Sequence, residues 1–409
     1  MIDIVTTFPI KQEGSACIIN LFGRINESNR TFDLHYELDS NSDALTRPGA
    51  LLGQTFNMRV KSTSAQIYIV YDCTIISQSL AFSGSGMGTV SGRFDRLIKQ
   101  NHSDDTYDKM MFSFDGIEHL FPLINFQIDM PRYDGPLTIS RPALEEKEHS
   151  VTDSISGSIV SDFGSISSEP ISEIHISQKK HIVLSFTNKQ TACELIKTLT
   201  RVKQYIEFLC SREIQLSDIQ FSSSDPNNWK SAEVISDPIL IPCTFIKPIE
   251  SDPYGFSEED FFAGLQGWLN HVDKYSRVID IWKKTIYNSN VSAEDLFIWR
   301  CQAFELLCTL TEEIKESAKK KLVDDQSYPN IRNYLCEVNS RYDIADFAES
   351  HFSKTKVIRD ILTHNNPDKT ASDEQFRNAY TLIHYFLVAS IGEIMDFKCR
   401  RPGLILTSI

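Results

Sequence analysis

Nothing in this 409-residue chain runs apolar for the about 18 residues that a membrane-spanning helix needs, so no membrane partner is expected. The first residues, Met1–Ile10, carry neither a basic n-region nor an unbroken apolar stretch, and do not read as a secretory leader. Cysteine is sparse and scattered: Cys17, Cys73, Cys193, Cys210, Cys243, Cys301, Cys308, Cys336 and Cys399 include no Cys-x-x-Cys and no zinc-ligand spacing. An odd, unpatterned set reads as reduced thiols in a cytoplasmic protein, and makes disulfide and zinc scaffolds poor readings. No cluster of Asp, Glu and His has the look of a two-metal nuclease, so neither metal nor cofactor is expected. Gly84, Gly86, Gly88 and Gly92 are followed by no Lys-Ser/Thr and open no helix. They read as turns and bulges punctuating a strand or hairpin, not as a phosphate loop.

What is present points to a globular protein of two or three domains, with 41% hydrophobic and 11% aromatic residues. The net charge of −14 argues against a general nucleic-acid coat. It is unevenly spread: from Pro253 onward there are 19 Lys+Arg against 23 Asp+Glu, and before it 22 against 32. Basic clusters in the second half lie at Lys319–Lys321, at Lys354, Lys356 and Arg359, and at Lys398, Arg400 and Arg401. Each could equally be a solvated helix end. Any RNA binding should therefore be local.

The pattern predicts an α+β chain, β-rich over residues 1–250 and all-α over about 254–400. Segments 16–25, 31–38, 66–76 and 123–128 are rich in β-branched and aromatic residues. In Phe32-Asp33-Leu34-His35-Tyr36 the apolar side chains alternate, as in a half-buried strand. Residues 150–178 hold ten serines and few large apolar residues, which reads as a Ser-rich loop or linker. A strand over 181–186 precedes a helix from about Gln190 to Arg212, where Leu195, Leu199, Val202, Ile206 and Leu209 share one face. Two further strand-like runs follow, at 213–221 and 234–249. Pro248 and Pro253 then mark a domain junction.

From Ser257 an apolar stripe (Phe261, Leu265, Trp268, Val272, Tyr275, Ile279, Trp282, Ile286) predicts one continuous helix, with Ser257 as N-cap and Asp260 in its first turn. Others are expected over 292–320, in broken form over 328–349, over 353–363 and over 372–397, making a bundle of four or five. The first helix, with Phe262, Trp268 and Trp282, is more apolar than a one-sided helix needs, so part of it should face a partner. The helical half is expected to fold by itself.

The candidate for chemistry is Arg359-Asp360-Ile361-Leu362-Thr363-His364. Arg-x4-His alone is a weak signal: Arg30 and His35 repeat it in a strand, where residues five apart face opposite sides. Arg377 and His384 sit seven apart in the last helix, and read as surface and packing, although Arg377 could approach the site. Pro367 pushes the residue before it out of the α region, so the helix should end near His364 and need not hold the pair apart. An arginine offers a permanent, bidentate clamp for phosphate, and an imidazole can exchange a proton near neutral pH. The structural alternative is a histidine closing a helix and an arginine on its exposed face.

Ile358–Asn366 followed by a long final helix resembles the signature of HEPN-superfamily ribonucleases. Gln302-Ala303-Phe304-Glu305 and Trp268 resemble the ApeA-type abortive-infection branch. Upstream, Phe112-Ser113-Phe114-Asp115-Gly116-Ile117-Glu118-His119-Leu120 and the 180–222 stretch are similar to that family's N-terminal domain. The resemblance implies an ApeA-like sensing domain over 1–250 and a catalytic HEPN bundle over 254–400. It also implies a metal-independent endoribonuclease of an antiphage abortive-infection system that cleaves host RNA. In that scheme His364 is general acid or base, Arg359 stabilises the phosphorane, and Asp360 orients one of them. Glu305, Asn365 and Arg377 would be supporting residues, Glu305 equally a structural polar group. A single histidine cannot readily serve both sides of an in-line displacement, so the homodimer or higher oligomer usual in that superfamily is expected. A viral protein is the expected trigger. Two other readings stay open: a catalytically inactive HEPN module for RNA binding or scaffolding, and an unrelated sensor whose helices only oligomerise.

Overall fold

The computed structural model describes residues 2–12, 15–37, 51–81, 87–100, 106–121, 127–129, 138–140, 147–167, 174–223, 232–237, 239–240, 257–287, 291–322, 328–344, 348–364 and 371–396. Among them an antiparallel barrel comes first. It is built from β1 (Ile2–Gln12), β2 (Ser15–Asn26), β3 (Thr31–Glu37), β4 (Thr55–Ser62), β5 (Ile67–Ala81) and β6 (Met87–Arg93). The ladder runs β5-β4-β1-β2-β3-β6, and β6 pairs back onto β5, which closes the sheet and removes its edges. Phe32, Leu34 and Tyr36 are buried inside, as their alternation predicts, together with Met58, Val60, Val70 and Ile75. Gly88 and Gly92 lie within the strand β6. A Cβ at either would run into the rings of Tyr36 and Phe32, which fill the lumen opposite them.

Long β5 changes partner along its length. Its second half pairs with β6, while Ile67–Tyr71 pair with β7 (Arg96–Gln100). At the changeover Asp72 is left-handed (φ 55°), and its N–H donates to Asn57 Oδ1 at 2.9 Å. From β7 an open antiparallel sheet continues through β15 (Ala232–Ser236), β14 (Leu216–Ser222), β8 (Thr106–Phe114), β13 (Ile174–Thr191), β12 (Ile155–Ser167) and β11 (His149–Thr152). A small hairpin joins β9 (Gln127–Asp129) to β10 (Thr138–Ser140).

The Ser-rich residues expected as a loop are thus largely strand, with β12 in register against β13 from Ile155↔Phe186 to Ser167↔Ile174. The sequence hid this because Gly157 stands where a large apolar residue would. The ring of Phe262, about a hundred residues away in sequence, covers that position instead.

Nine helices are seen among the described residues: α1 (Ile117–Leu120), α2 (Ala192–Cys210), α3 (Glu258–His271), α4 (Ser276–Tyr287), α5 (Ala293–Leu310), α6 (Glu312–Lys320), α7 (Ile331–Tyr342), α8 (Glu349–His364) and α9 (Asp373–Ile394). Thr191 and Glu194 form a capping box on α2, and Ser257 caps α3 through the Asp260 N–H at 3.1 Å. The continuous helix expected from Ser257 breaks between α3 and α4. Val272 keeps helical dihedrals (φ −56°, ψ −35°), so the apolar stripe reads straight through the turn. Likewise Thr311, extended at φ −96° and ψ 95°, divides the expected 292–320 helix into α5 and α6. Among the described residues the bundle therefore has seven helices, not four or five. None of the described helices is long and apolar enough to cross a membrane.

Burial divides into two cores. One fills the barrel, from Ile4 to Leu97; the other is shared by the open sheet, α2 and the helical half, from Ile98 to Met395. The change of composition near residue 250 is therefore not a break in packing. On α2, Phe208 stacks against Trp268 of α3 (5.6 Å between centroids) and Trp282 of α4 (5.2 Å). Tyr205 touches Phe261 and Trp268, and its hydroxyl donates to the Phe261 carbonyl at 3.0 Å. The apolar excess of the first expected helix thus meets the chain's own N-terminal half. Fully buried Glu207 adds a polar tie: it accepts from Lys203 and from the Tyr287 hydroxyl, with Lys283 Nζ at 3.7 Å. Burial and Glu207 push the Tyr287 phenol up, and burial pulls the Lys283 ammonium down. That interlock argues against the expectation that the helical half folds alone.

Candidate active site

Helix α8 carries the Arg359–His364 segment. Phe352, Thr355 and Ile358 are buried along one side, with Leu362 partly so, and the helix runs to His364, where Pro367 placed its end. Both residues are in regular helix, and five residues turn the chain by roughly 140° with a rise of about 7.5 Å. The expected relaxation of their spacing does not occur. Arg359 turns toward α5, while His364 is exposed at the last turn; no hydrogen bond or ion pair joins the two among the described residues. Asn365 lies outside those residues.

Arg359, Asp360 and Glu305 do come together. Arg359 Nη2 donates to Glu305 Oε2 at 3.1 Å, and its Nη1 to Asp360 Oδ1 at 3.2 Å. Lys356, one turn earlier, donates to Asp360 Oδ2 at 2.6 Å. Two cations and two carboxylates therefore form one chain of charge-assisted bonds spanning α5 and α8. Lys356 belonged to a basic cluster in the sequence, and its Lys-x3-Asp spacing was the signal for this bond. The Arg359 side chain remains 29% exposed.

Burial pushes the Glu305 carboxyl up, and the charge and hydrogen bond of Arg359 offset this only in part. For Asp360 burial acts in the same direction, but the Lys356 bond and charge, with those of Arg359, together hold its carboxyl below the usual range. Burial opposes the Arg359 charge, yet Glu305 and Asp360 outweigh it and raise the guanidinium above its ordinary value. Nearby thiols are no alternative nucleophile, because burial drives Cys301 and Cys308 well above the ordinary cysteine range. Among the described residues no three His, Cys, Asp or Glu side chains stand close enough to hold a metal.

Arg377 does not join the group: its Nε donates to the Asp373 carbonyl at 3.3 Å on its own helix. A second polar cluster on α5 and α9 was not anticipated. Arg300 is 7% exposed, with its guanidinium 4.3 Å from the centre of the Tyr380 ring. His384 lies beside it, and burial, reinforced by the Arg300 charge, lowers its imidazole to about 4. The signal was faint but present, since Arg300 sits three residues after Phe297 and four before Phe304 on a buried stripe.

A family model described as ApeA N-terminal domain 1 matches residues 7–263, more than half of the sequence. The chain belongs to the ApeA family. The matched span ends inside α3, so the ApeA domain includes the first turns of the helix that Tyr205 and Phe208 grip. No curated protein and no solved structure matches the chain.

Proposed function

We propose that this ApeA-family protein is a metal-independent endoribonuclease of antiphage defence, with its HEPN-type site on α8. Membership of the ApeA family, an antiphage defence family, supports the biological half of the reading. The chemical half rests on one observation. Arg359, Asp360 and Glu305, three residues singled out from the sequence, form a partly exposed charged group between α5 and α8, the helix that ends at His364. In this reading Glu305 and Asp360 orient Arg359, whose guanidinium takes up charge developing on the phosphorane. His364 moves the proton of the attacking 2′-hydroxyl or of the departing 5′-oxygen, giving a cyclic phosphate and a 5′-hydroxyl. Because His364 and Arg359 of one chain diverge on α8, a second copy supplies the complementary histidine, and a homodimer is the active species. The large N-terminal half keeps the enzyme only weakly active until a viral protein binds it, in the cytoplasm of the infected cell.

One observation favours a second reading, that of an inactive HEPN module for RNA binding or scaffolding. The Arg359 charge is already satisfied by two carboxylates. The two readings separate when full-length protein is incubated with RNA in EDTA and the new ends are analysed. Cyclic phosphate and 5′-hydroxyl termini support catalysis. Binding without cleavage supports the second reading, and cleavage that needs a divalent cation removes the first.

A further inference from the structure

Between α8 and α9, away from Glu305, lies a pocket that the ribonuclease reading does not use. His351, Lys354 and Thr355 line it from α8 at three- and four-residue spacing, and Glu374, Asn378 and Leu382 line it from α9 at steps of four. Thr355 and Leu382, 1% and 2% exposed, form its floor. The space is about 280 Å³, just under the range of drug-sized sites, so it holds one ring system rather than a whole strand. Both walls are held in place. The Ser372–Gln375 capping box fixes the start of α9, and His351 Nδ1–H donates to the Ala348 carbonyl at 3.2 Å.

The charges on α8 divide between its two sides. Toward α5, Lys356 and Arg359 are bound to Asp360 and Glu305. Toward α9, Lys354 and Glu374 border one space without pairing, and neither they nor Asn378 make a hydrogen bond or ion pair among the described residues. An ammonium, a carboxylate and an amide thus surround an apolar floor with their hydrogen-bonding capacity open. The Glu374 carboxylate repels a phosphate and accepts from N–H donors, while Lys354 donates. Among the RNA bases guanine matches this set. Its N1–H and N2–H lie side by side for a carboxylate, and its O6 and N7 accept from a lysine.

We propose that this pocket takes one unstacked guanine of the RNA, read by Glu374 and Lys354 and stacked on His351, and so sets where the strand is cut. Splayed-out bases are held in this way, against an aromatic or histidine ring with their edges hydrogen-bonded. The proposal rests on the reading of this chain as a protein that acts on RNA. Lys354 and Arg359 are five residues apart, roughly 140° around α8 and about 7.5 Å along it. The side of α8 between them is the exposed one, where Val357 is 50% exposed and His364 follows two turns later. A strand running from the pocket to Arg359 therefore crosses the side that carries His364. The helix is about 10 Å across and a stacked strand advances about 3.4 Å per nucleotide, which puts the guanine about three nucleotides from the bond cut.

Fluorescence anisotropy of the full-length protein with short 2′-O-methyl strands tests this. Such strands lack the attacking hydroxyl, so binding is read without cleavage. A uridine strand with one central guanine should bind about tenfold more tightly than the same strand with adenine, cytosine or uracil there, the discrimination of one bidentate pair. Glu374→Gln should bring that ratio close to one, and Lys354→Met should reduce it. Both residues are exposed, so the unfolding midpoint should hold in each variant. No binding, equal affinity for the four strands, or a guanine preference that Glu374→Gln leaves intact overturns the proposal. Guanine preference without cleavage of ordinary RNA removes the ribonuclease reading alone, and cleavage without guanine preference removes this proposal alone.

Discussion

Replacing Phe208 with alanine should loosen both halves of the molecule at once. Phe208 is 7% exposed and is the ring on α2 that contacts both Trp268 and Trp282. Truncating a buried phenylalanine costs about 3–5 kcal/mol, of which each aromatic contact contributes about 0.5–1.5 beyond area. Whole domains are stable by only about 5–15 kcal/mol, so the loss is a large fraction of the total. Phe208→Leu keeps most of the volume and should cost under about 1.5 kcal/mol. The assay is urea unfolding followed by tryptophan fluorescence and by far-ultraviolet circular dichroism. Three of the four tryptophans, Trp268, Trp282 and Trp299, lie in the helical half. In Phe208→Ala both signals should move together to lower urea, although the substitution lies outside that half. A helical transition unchanged from wild type would refute the shared core. By the same reasoning a fragment beginning at Pro253, stripped of Tyr205 and Phe208, should not give a cooperative transition.

Acid stability should report on His384. Its imidazole lies at about 4 in the folded chain against 6.5 when unfolded, so between these values the unfolded state binds a proton the native state does not. Stability is therefore lost as pH falls from 6.5 toward 4, by up to about 3 kcal/mol, and His384→Phe should flatten that limb in equilibrium denaturation; parallel limbs would contradict it. Glu305→Gln should lower the RNA-cleavage rate about tenfold or more by releasing Arg359, with the unfolding midpoint little changed because a raised, half-buried carboxyl is not a large source of stability. Wild-type turnover in that variant would make Glu305 merely structural.

Local periodicity carried most of what could be read in advance. Phe32, Leu34 and Tyr36 alternate because one side of β3 faces the barrel lumen, and the α2 stripe repeats at helical spacing because one face covers the sheet. What failed involved distant partners. The Ser-rich 150–178 stretch looked like a loop in part because Gly157 offers no apolar side chain, and its covering ring, Phe262, comes from another part of the chain. Gly88 and Gly92 were legible as punctuation of a strand or hairpin, but not their partners, because Tyr36 and Phe32, which occupy their side-chain space, lie on another strand. The break after α3 was invisible because Val272 stays helical there. At the candidate site, Arg359 and Asp360 were legible from their own segment and Glu305 only through the family resemblance; that the three meet depends on how α5 packs against α8. The burial of Arg300 beside His384 was not legible, because it depends on how α5 meets α9.

The most direct test of the central claim is RNA cleavage by full-length wild type, Arg359→Ala and His364→Ala in EDTA, with the unfolding midpoint of each measured alongside. His364 is exposed and Arg359 partly so, and truncation at such positions usually changes stability little. The account predicts a cleaving wild type and two folded variants that have each lost cleavage. Cleavage that persists in both folded variants would contradict it.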